Sequence, residues 1–277
     1  MVKIKKQNFK HGIFSYYEND LYIGKSLSEY GEWSEAEVEL IKQIVPQNKI
    51  IIEIGSNIGT HTIPMAKHLT NGGKVFAFEP QSQNYKLLQE NINNNDIKNV
   101  KIYNIAISSK KGEAFINKFD EAENNNYGDA RIFKDKFKKC EKVTVNTIDE
   151  LFSKKIKENF SIHLIKCDAQ GQELNIILGS EKILDQYKPF IYIENDDIEC
   201  SKMLIQKIKS LGYLMYWHLP PLFNPNNFLK NSKNIFPNIR SCNMFCFHRS
   251  RKIKLDKIWE KFEISNDDFH PFKKKLF

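Results

Sequence analysis

Short apolar runs alternate with helical segments along most of this chain, and that alternation limits the folds it can adopt. Residues 50–54, 74–78 and 100–105 each have the length and apolar character of a buried strand, and helical periodicity fills 61–69 and 83–93 between them. Strands joined by helical crossovers run parallel, so the pattern predicts an α/β fold with a doubly wound, mostly parallel sheet. Four later strands at 162–167, 190–193, 213–217 and 244–247, with helices at 173–184 and 200–211, would complete a seven-stranded sheet.

The chain divides into three predicted parts, namely an N-terminal helical extension at 1–48, a main domain at 49–250 and a C-terminal tail at 251–277. In the extension, Ser34 and Glu37 have the spacing of a capping box, and Pro46 ends the helix. Residues 118–142 interrupt the main domain with a polar, Asn-rich stretch. A long loop in a compact domain is usually a lid or a substrate loop, and a disordered excursion is the alternative.

Composition indicates the environment of the protein. The 277 residues contain no apolar run of the roughly 18–20 residues that span a bilayer and no leader segment, so we expect a soluble cytoplasmic protein. Five cysteines suit a reducing compartment, and Cys242 and Cys246 lack a second pair at zinc spacing, so no metal site is expected. The net charge is +8, but the basic runs at 134–142 and 273–275 are interleaved with acids or terminal, which favours solvated surface.

The first motif follows strand 50–54, where Glu53 precedes the sequence Gly-Ser-Asn-Ile-Gly. Glycines allow a ligand to approach the backbone closely, and the amides of such a turn attract a carboxylate or phosphate. The Gly-x-x-x-Gly spacing differs from the Gly-x-Gly-x-x-Gly that cradles a pyrophosphate, which disfavours NAD. An acid beside loop amides instead matches the amino-acid end of S-adenosylmethionine, so Glu53, Gly55, Ser56, Asn57 and Gly59 are candidate cofactor residues.

The second motif is the acid that ends the next strand, Glu79. A carboxylate at this position accepts hydrogen bonds from both ribose hydroxyls of an adenosine. A helix-capping or surface glutamate is the alternative. Asn104 ends the third strand, where its side chain would face the adenine edge or simply form a turn.

The third motif, Ile-Lys-Cys-Asp-Ala-Gln-Gly-Gln-Glu, delivers Asp168 to the same sheet edge. Together with EIGSNIGTHT, VFAFEP, NIAIS, VNTIDEL, YIEND, WHLPPLFNPNNF and SCNMFCFHR, it resembles the FkbM-type methyltransferases over residues 49–249. The resemblance implies a class I methyltransferase fold, Rossmann-like, that transfers the methyl group of S-adenosylmethionine, usually to oxygen on a sugar or secondary metabolite. It also places Asp168 at both cofactor and acceptor. Two departures are Glu53, where the family commonly has Asp, and Gln170, where it often has Glu.

A sugar hydroxyl is a poor nucleophile, so a positioned base would assist the transfer. Candidates at strand ends are His218, Glu194 and Asp168, and His218→Ala is expected to lower turnover; a structural histidine is the alternative. His61 and His163 are interpreted as packing residues. The predicted substrate-binding residues are Gln170, Glu173, Asn195 and Asn227, with a possible aromatic and proline-rich sugar wall formed by Trp217, Pro220, Pro221, Phe223 and Phe228.

These features predict an O-methyltransferase acting on a sugar, glycan or other small-molecule hydroxyl, with nucleic acid not expected as partner. A nucleic-acid methyltransferase is one alternative, since the net charge favours it. The Asn- or Asp-Pro-Pro-aromatic sequence that clamps a flipped base is missing after Cys167, however. A non-catalytic module of the same fold is another alternative, and the oligomeric state is left open.

Overall fold

The computed structural model describes residues 3–119, 123–152, 161–253 and 255–273. Parts of two predicted segments lie outside the described residues. These are 120–122 of the polar insertion, and 254 and 274–277 of the tail. The last range includes two lysines of the basic run 273–275. Within the described ranges, no helix has the length and hydropathy needed to cross a membrane.

The strands are β1 (Ile4–Phe9), β2 (Gly12–Tyr17), β3 (Ile50–Ile54), β4 (Lys74–Phe78), β5 (Val100–Tyr103), β6 (Ala106–Ile107), β7 (Gly112–Asn117), β8 (Ile132–Phe133), β9 (Cys140–Asn146), β10 (Ile162–Cys167), β11 (Phe190–Glu194), β12 (Tyr213–His218) and β13 (Asn243–His248). The helices are α1 (Ile23–Tyr30), α2 (Glu35–Ile44), α3 (Thr62–His68), α4 (Ser82–Asn94), α5 (Ile148–Phe152), α6 (Glu173–Leu178), α7 (Glu181–Tyr187), α8 (Ile198–Ser210) and α9 (Lys257–Glu260).

The main sheet has seven strands in the order β12-β13-β11-β10-β3-β4-β5. Every pairing from β11 to β5 is parallel, while β13 is antiparallel to both of its neighbours. The predicted doubly wound, mostly parallel sheet is therefore confirmed. The carboxyl ends of β3, β4, β10 and β11 meet at one edge, where parallel α/β sheets bind ligands.

Both faces of this sheet are covered by helices, which explains the continuous apolar runs. On one face, Ile52 and Ile165 pack in a core shared with α6, α7 and α8. On the other face, Ile51 and Leu164 share a core with α2 and α3. Side chains alternate between the faces along each strand, so the polar residues Glu53 and Lys166 face the layer of α2 and α3.

The predicted helix 173–184 is two helices, α6 and α7. A Cβ at Gly179, between them, would lie 2.2 Å from the backbone oxygen of Ser108. The close approach of that neighbouring segment requires glycine at the junction, where α6 ends before α7 begins.

The N-terminal extension contains α1 and α2 and also a hairpin, β1–β2, that the sequence did not predict. The lysines and exposed positions of β1 hide the alternation typical of a half-buried strand. Only β2 contributes a row of buried side chains, which pack against α4 through Phe14 and Tyr16.

The polar insertion is not a continuous loop. It contains β8 and the first residues of β9, which pair with β7 in a separate four-stranded sheet of order β6-β9-β7-β8. Tyr127 is fully buried, and its ring stacks on Tyr17 at a centroid distance of 4.0 Å. The backbone oxygen of Tyr127 accepts hydrogen bonds from the side-chain amides of Asn57 at 3.0 Å and Asn84 at 2.9 Å. The insertion is thereby fixed to the loop that follows β3.

Candidate active site

A cavity of about 290 Å³ lies at the carboxyl ends of β3, β4, β10 and β11. Its walls come from the loops after these strands, from residues 126–132 of the insertion, from the segment around α1 and from the loop between β12 and β13. Whether the insertion closes over a ligand stays a prediction, but the structure places it in the wall.

The loop after β3 depends on glycine at one position. Gly55 has φ +81°, and a Cβ there would lie 1.7 Å from the backbone oxygen of Asp168. The amides of Gly55 and Ser56 both donate to the backbone oxygen of Phe78, at 2.9 and 3.1 Å. The loop is therefore tied to β4 on one side and lies against the end of β10 on the other, with Ser56 and Asn57 in the cavity wall.

Glu79 lines the cavity at the end of β4 and is only 3% exposed. Its Oε2 accepts from the amide of Asn57 at 2.8 Å, and its Oε1 accepts from the amide of Gln81 at 2.9 Å. Burial raises the pKa of Glu79 to about 7, against the opposing effect of these hydrogen bonds. Each oxygen retains an acceptor position, so the carboxylate fits a pair of ribose hydroxyls.

Glu53 lies below the cavity and does not form part of its wall. It is completely buried, and its Oε2 accepts from the hydroxyl of Thr62 at 2.5 Å, while its Oε1 has no hydrogen-bond partner. Burial raises the pKa of Glu53 to about 7, although Lys166 acts in the opposite direction. In this structure Glu53 ties β3 to α3, and direct contact with a cofactor stays a prediction.

Lys166 is the residue that sequence reasoning missed. It is 1% exposed in the middle of the sheet, and it stands in register with Glu53 on β3 and Tyr192 on β11. Its Nζ lies 3.7 Å from Oδ2 of Asp168. Burial alone would lower the pKa of Lys166, but surrounding carboxylates, Asp168 and Glu53 first, raise it overall. The signal was a lysine inside the apolar strand IHLIKC, because buried lysines are rare unless paired.

Asp168, Gln170 and Glu194 lie together in the cavity wall. The amide nitrogen of Gln170 donates to Oε2 of Glu194 at 2.8 Å and approaches Oδ1 of Asp168 at 3.4 Å. Burial, then the negative charges of Asp168 and Asp196, raise the pKa of Glu194 well above its ordinary value. Glutamine at position 170 thus bridges two carboxyl groups, where a glutamate would add a third.

His61 also lines the cavity, although the sequence indicated a packing residue. The ring is 6% exposed, and its Nε2 has no hydrogen-bond partner; the nearest acid, Oε2 of Glu37, is 3.8 Å away. Burial and the charge of Lys166 hold the pKa of His61 well below its ordinary value. His61 is therefore neutral at physiological pH and open to a ligand contact.

His218 lies outside the cavity wall. Its Nδ1 is 2.8 Å from the hydroxyl oxygen of Tyr192, and its ring packs beside Trp259. Burial lowers the pKa of His218 to about 4. The strand end was predicted correctly, but this side chain points to the layer of α2 and α3 and away from the position expected of a base.

Three of the four predicted substrate residues also lie outside the wall. Glu173 accepts from the amide of Ala169 at 3.1 Å, and burial raises its pKa to about 7. The side-chain amide of Asn195 donates to Ser201. Asn227 organises its own loop through Asn224 and Asn231. Gln170 is the member of the predicted set that reaches the cavity.

The predicted adenine and sugar residues also lie outside the cavity wall. The side-chain amide of Asn104 donates to the backbone oxygens of Glu79 and Pro80, and the next residue, Ile105, lines the cavity. The five residues of the predicted sugar wall do not line it. Apolar and aromatic residues that do line it include Tyr22, Trp33, Leu222 and Ile239, with Arg240 and Ser241 also in the wall.

Comparison with known proteins establishes the family. The family model for the methyltransferase FkbM domain matches residues 53–215, more than half of the chain and all three motifs of the cavity. The chain belongs to the FkbM methyltransferase family. No curated protein matches the sequence significantly.

Several solved methyltransferases are similar in fold. The methyltransferase FkbM of Methylobacillus flagellatus KT is 14% identical with a TM-score of 0.48, over 72% of this chain and 44% of that one. A SAM-dependent O-methyltransferase of Thermotoga maritima is 13% identical with a TM-score of 0.47, over 79% and 67%. A precorrin-6y C5,15-methyltransferase of Geobacter metallireducens GS-15 is 11% identical with a TM-score of 0.46, over 77% and 87%. The chain thus spans less than half of the Methylobacillus protein.

Proposed function

We propose that this protein is an S-adenosylmethionine-dependent O-methyltransferase whose acceptor is a hydroxyl group of a sugar, a glycan or another small molecule. The observation that carries the proposal is one cavity whose wall contains both the Glu79 carboxylate and the Asp168 and Glu194 carboxyl groups. That arrangement suits a nucleoside beside Glu79 and a proton-releasing acceptor beside Asp168 and Glu194.

The residues around Glu79 fit the cofactor that the family implies. Gly55 lets the loop after β3 pack directly against the backbone of Asp168, Glu79 offers acceptor oxygens to a ribose, and Ile105 and Ile107 add apolar side chains to the cavity wall. When bound, S-adenosylmethionine supplies a methyl group already activated by its sulfonium. The protein therefore has to align the acceptor oxygen with that carbon and exclude water.

The carboxyl groups of Asp168 and Glu194 have separate roles. Because the pKa of Glu194 is well above its ordinary value, this group keeps its proton near neutral pH and donates a hydrogen bond to the acceptor. Asp168, placed by Lys166 and Gln170, takes the hydroxyl proton while the new oxygen–carbon bond forms and the carbon–sulfur bond breaks. Proton transfer to such a base contributes roughly 10²–10⁴-fold.

The first test is calorimetric titration with S-adenosylmethionine and, as control, with NAD. Binding of the first alone is expected. The second test follows transfer of a radiolabelled methyl group to a panel of sugars, glycosides and sugar phosphates. Asp168→Asn should retain cofactor binding and lose about 10²–10⁴-fold in turnover, and His218→Gln, outside the cavity, should match the wild type. A wild-type protein that binds no S-adenosylmethionine would contradict the proposal.

A further inference from the structure

One segment of the insertion carries half of the protein's net charge. Residues 131–139, here called the basic strip, contain five basic residues and one acid, a net charge of +4 in a chain of net +8. The side chains of Lys134, Lys136 and Lys138 are all exposed. Seen in sequence alone, these lysines resemble an ordinary solvated surface, so their position in the fold decides their meaning.

The basic strip begins in the cavity wall. Ile132 and the preceding Ala130 line the cavity, whereas Phe133 is 44% exposed. The ring of Phe133 packs edge-to-face against Phe137 at 4.8 Å, which holds the two halves of the strip together. The exposed lysines of the strip therefore follow the wall residue Ile132 within six residues.

Arg131 lies within electrostatic reach of an acid in the cavity wall. Its Nε donates to Oδ1 of Asp129 at 2.6 Å. That bond is the main cause that raises the pKa of Arg131, and the negative charges of Asp196 and Asp197 add to it. Asp196 lines the cavity directly after β11, two residues beyond Glu194, so the first residue of the strip is near the part of the wall that carries these acids.

Acids outnumber bases in the cavity wall, whereas the strip outside is basic. The wall carries Glu79, Asp168 and Asp196 against Arg240, and this excess of acid disfavours an anion inside the cavity but accepts a neutral ring bearing hydroxyls. The strip outside would attract an anion attached to that ring. We propose, on the basis of the proposed function, that the acceptor is a phosphate-bearing sugar whose hydroxyl ring enters the cavity while its phosphate binds the basic strip.

Phosphate-bearing sugars have two sources, nucleotide sugars and directly phosphorylated sugars, and calorimetry distinguishes them. Protein saturated with S-adenosylhomocysteine is titrated with UDP-glucose, glucose 1-phosphate and glucose at low and high ionic strength. Both phosphates should bind more tightly than glucose, and salt should weaken them. Binding of UDP-glucose alone supports a nucleotide sugar, and equal binding of glucose 1-phosphate supports a phosphorylated sugar.

Two triple variants isolate the strip. Lys134→Gln/Lys136→Gln/Lys138→Gln should weaken phosphate-sugar binding about tenfold or more, because charge-assisted contacts to phosphate are lost. The matched control changes three exposed lysines near the amino ends of β4 and β5, Lys74, Lys98 and Lys101, which lie at the opposite edge of the sheet. The control should stay close to the wild type.

Several results would overturn the inference. Lysines also protect a free strand edge from pairing with another chain, so self-association of the strip variant with unchanged affinity would assign them that role. Equal binding of glucose, or strip-dependent binding of an oligouridylate without binding of phosphate sugars, would also exclude it. Each of these outcomes leaves S-adenosylmethionine binding intact, whereas failure of wild-type cofactor binding is failure of the proposed function.

Discussion

At the scale of single residues, the site depends on charged groups that are held out of water. Glu53, Glu79 and Lys166 are each less than 4% exposed, and Lys166 is the cation among the acids. Removing one partner of a buried ion pair leaves an uncompensated charge, which costs more than the pair itself contributes. The predictions at this scale follow from that asymmetry.

Glu79→Ala should weaken S-adenosylmethionine binding by about 1–3 kcal/mol, because charged hydrogen bonds to the ribose are lost. Calorimetry measures the change, with Glu39→Ala on exposed α2 surface as control. Since the pKa of Glu79 is about 7, wild-type affinity should fall as pH drops through 7 while the variant changes less. Equal affinity in a folded Glu79→Ala protein would remove the ribose assignment.

Lys166→Met should destabilise the protein by about 3–5 kcal/mol, since it leaves buried carboxylates without their cation. Denaturant unfolding measures the loss, and a double-mutant cycle with Glu53→Gln identifies its cause. The double variant should regain part of the stability, because its buried acid is neutral. Strict additivity would show that Lys166 does not act as the counter-ion of Glu53.

Gln170→Glu should place a third carboxyl group between Asp168 and Glu194 and should destabilise the fold by about 1–3 kcal/mol at pH 8. At pH 6 the loss should shrink, because a protonated glutamic acid can donate where Gln170 does. Thermal unfolding at both pH values checks this, with the exposed Gln206→Glu as matched control. A loss that does not depend on pH would point to a steric cause.

At the scale of elements, the insertion and the loop after β3, residues 55–61, form one unit. The ring of Tyr127 stacks on Tyr17, and its backbone oxygen binds two asparagine amides, one of them on Asn57. The amide of Asn57 in turn donates to Glu79. A change in the position of the insertion therefore reaches the Glu79 carboxylate through two hydrogen bonds.

Tyr127→Ala should destabilise the protein by about 3–5 kcal/mol, as expected when a fully buried aromatic ring is removed. It should also weaken cofactor binding and expose residues 123–142 to limited proteolysis. Tyr127→Phe keeps the ring stack and is the control, with nearly wild-type behaviour. Unchanged proteolysis in the alanine variant would mean that β8 and β9 alone hold the insertion.

The elements that the sequence predicted well are those buried on both faces. Strands β3 and β4 are nearly continuous apolar runs. The acids at their carboxyl ends, Glu53 and Glu79, mark the edge at which parallel sheets bind ligands. The hairpin strand β1 escaped prediction because its exposed lysines hide the alternation. His218 was placed at the correct strand end, but the direction of its side chain depends on the pairing with antiparallel β13. Pairing register between distant segments is not visible in one sequence.

At the scale of the whole molecule, three buried glutamates make their part of the stability depend on pH in an unusual direction. Burial raises the pKa values of Glu53, Glu79 and Glu173 to about 7 in the folded protein. Between the ordinary glutamate value and 7, each of these groups binds more protons in the folded state than in the unfolded state. The stability that these groups contribute is therefore complete at low pH and is lost as pH rises toward 7.

The contribution of each of these carboxyl groups to the free energy of unfolding should accordingly fall by on the order of 1–3 kcal/mol as pH rises from about 4.5 to 7. Buried histidines such as His218, whose pKa is lowered to about 4, act in the opposite direction, so the test compares the wild type with a variant. Glu173→Gln preserves an acceptor for the amide of Ala169 and removes one titrating group, so the difference between its urea unfolding curve and that of the wild type should change with pH by this amount. A difference that stays constant from about pH 4.5 to 7 would contradict the burial effect assigned to Glu173.

The anchoring of Asn57 by Tyr127 also bears on the order in which the chain assembles during synthesis. The loop after β3 leaves the ribosome early. The carbonyl of Tyr127, which binds the side chain of Asn57, follows 70 residues later. Asp168, which lies against Gly55, follows later still. Closing such long loops comes late in folding because their entropy is lost before the contacts form. A nascent chain that has completed β3 and β4 therefore holds the glycine loop without its final geometry, and cofactor binding becomes possible only after β10 has joined the sheet.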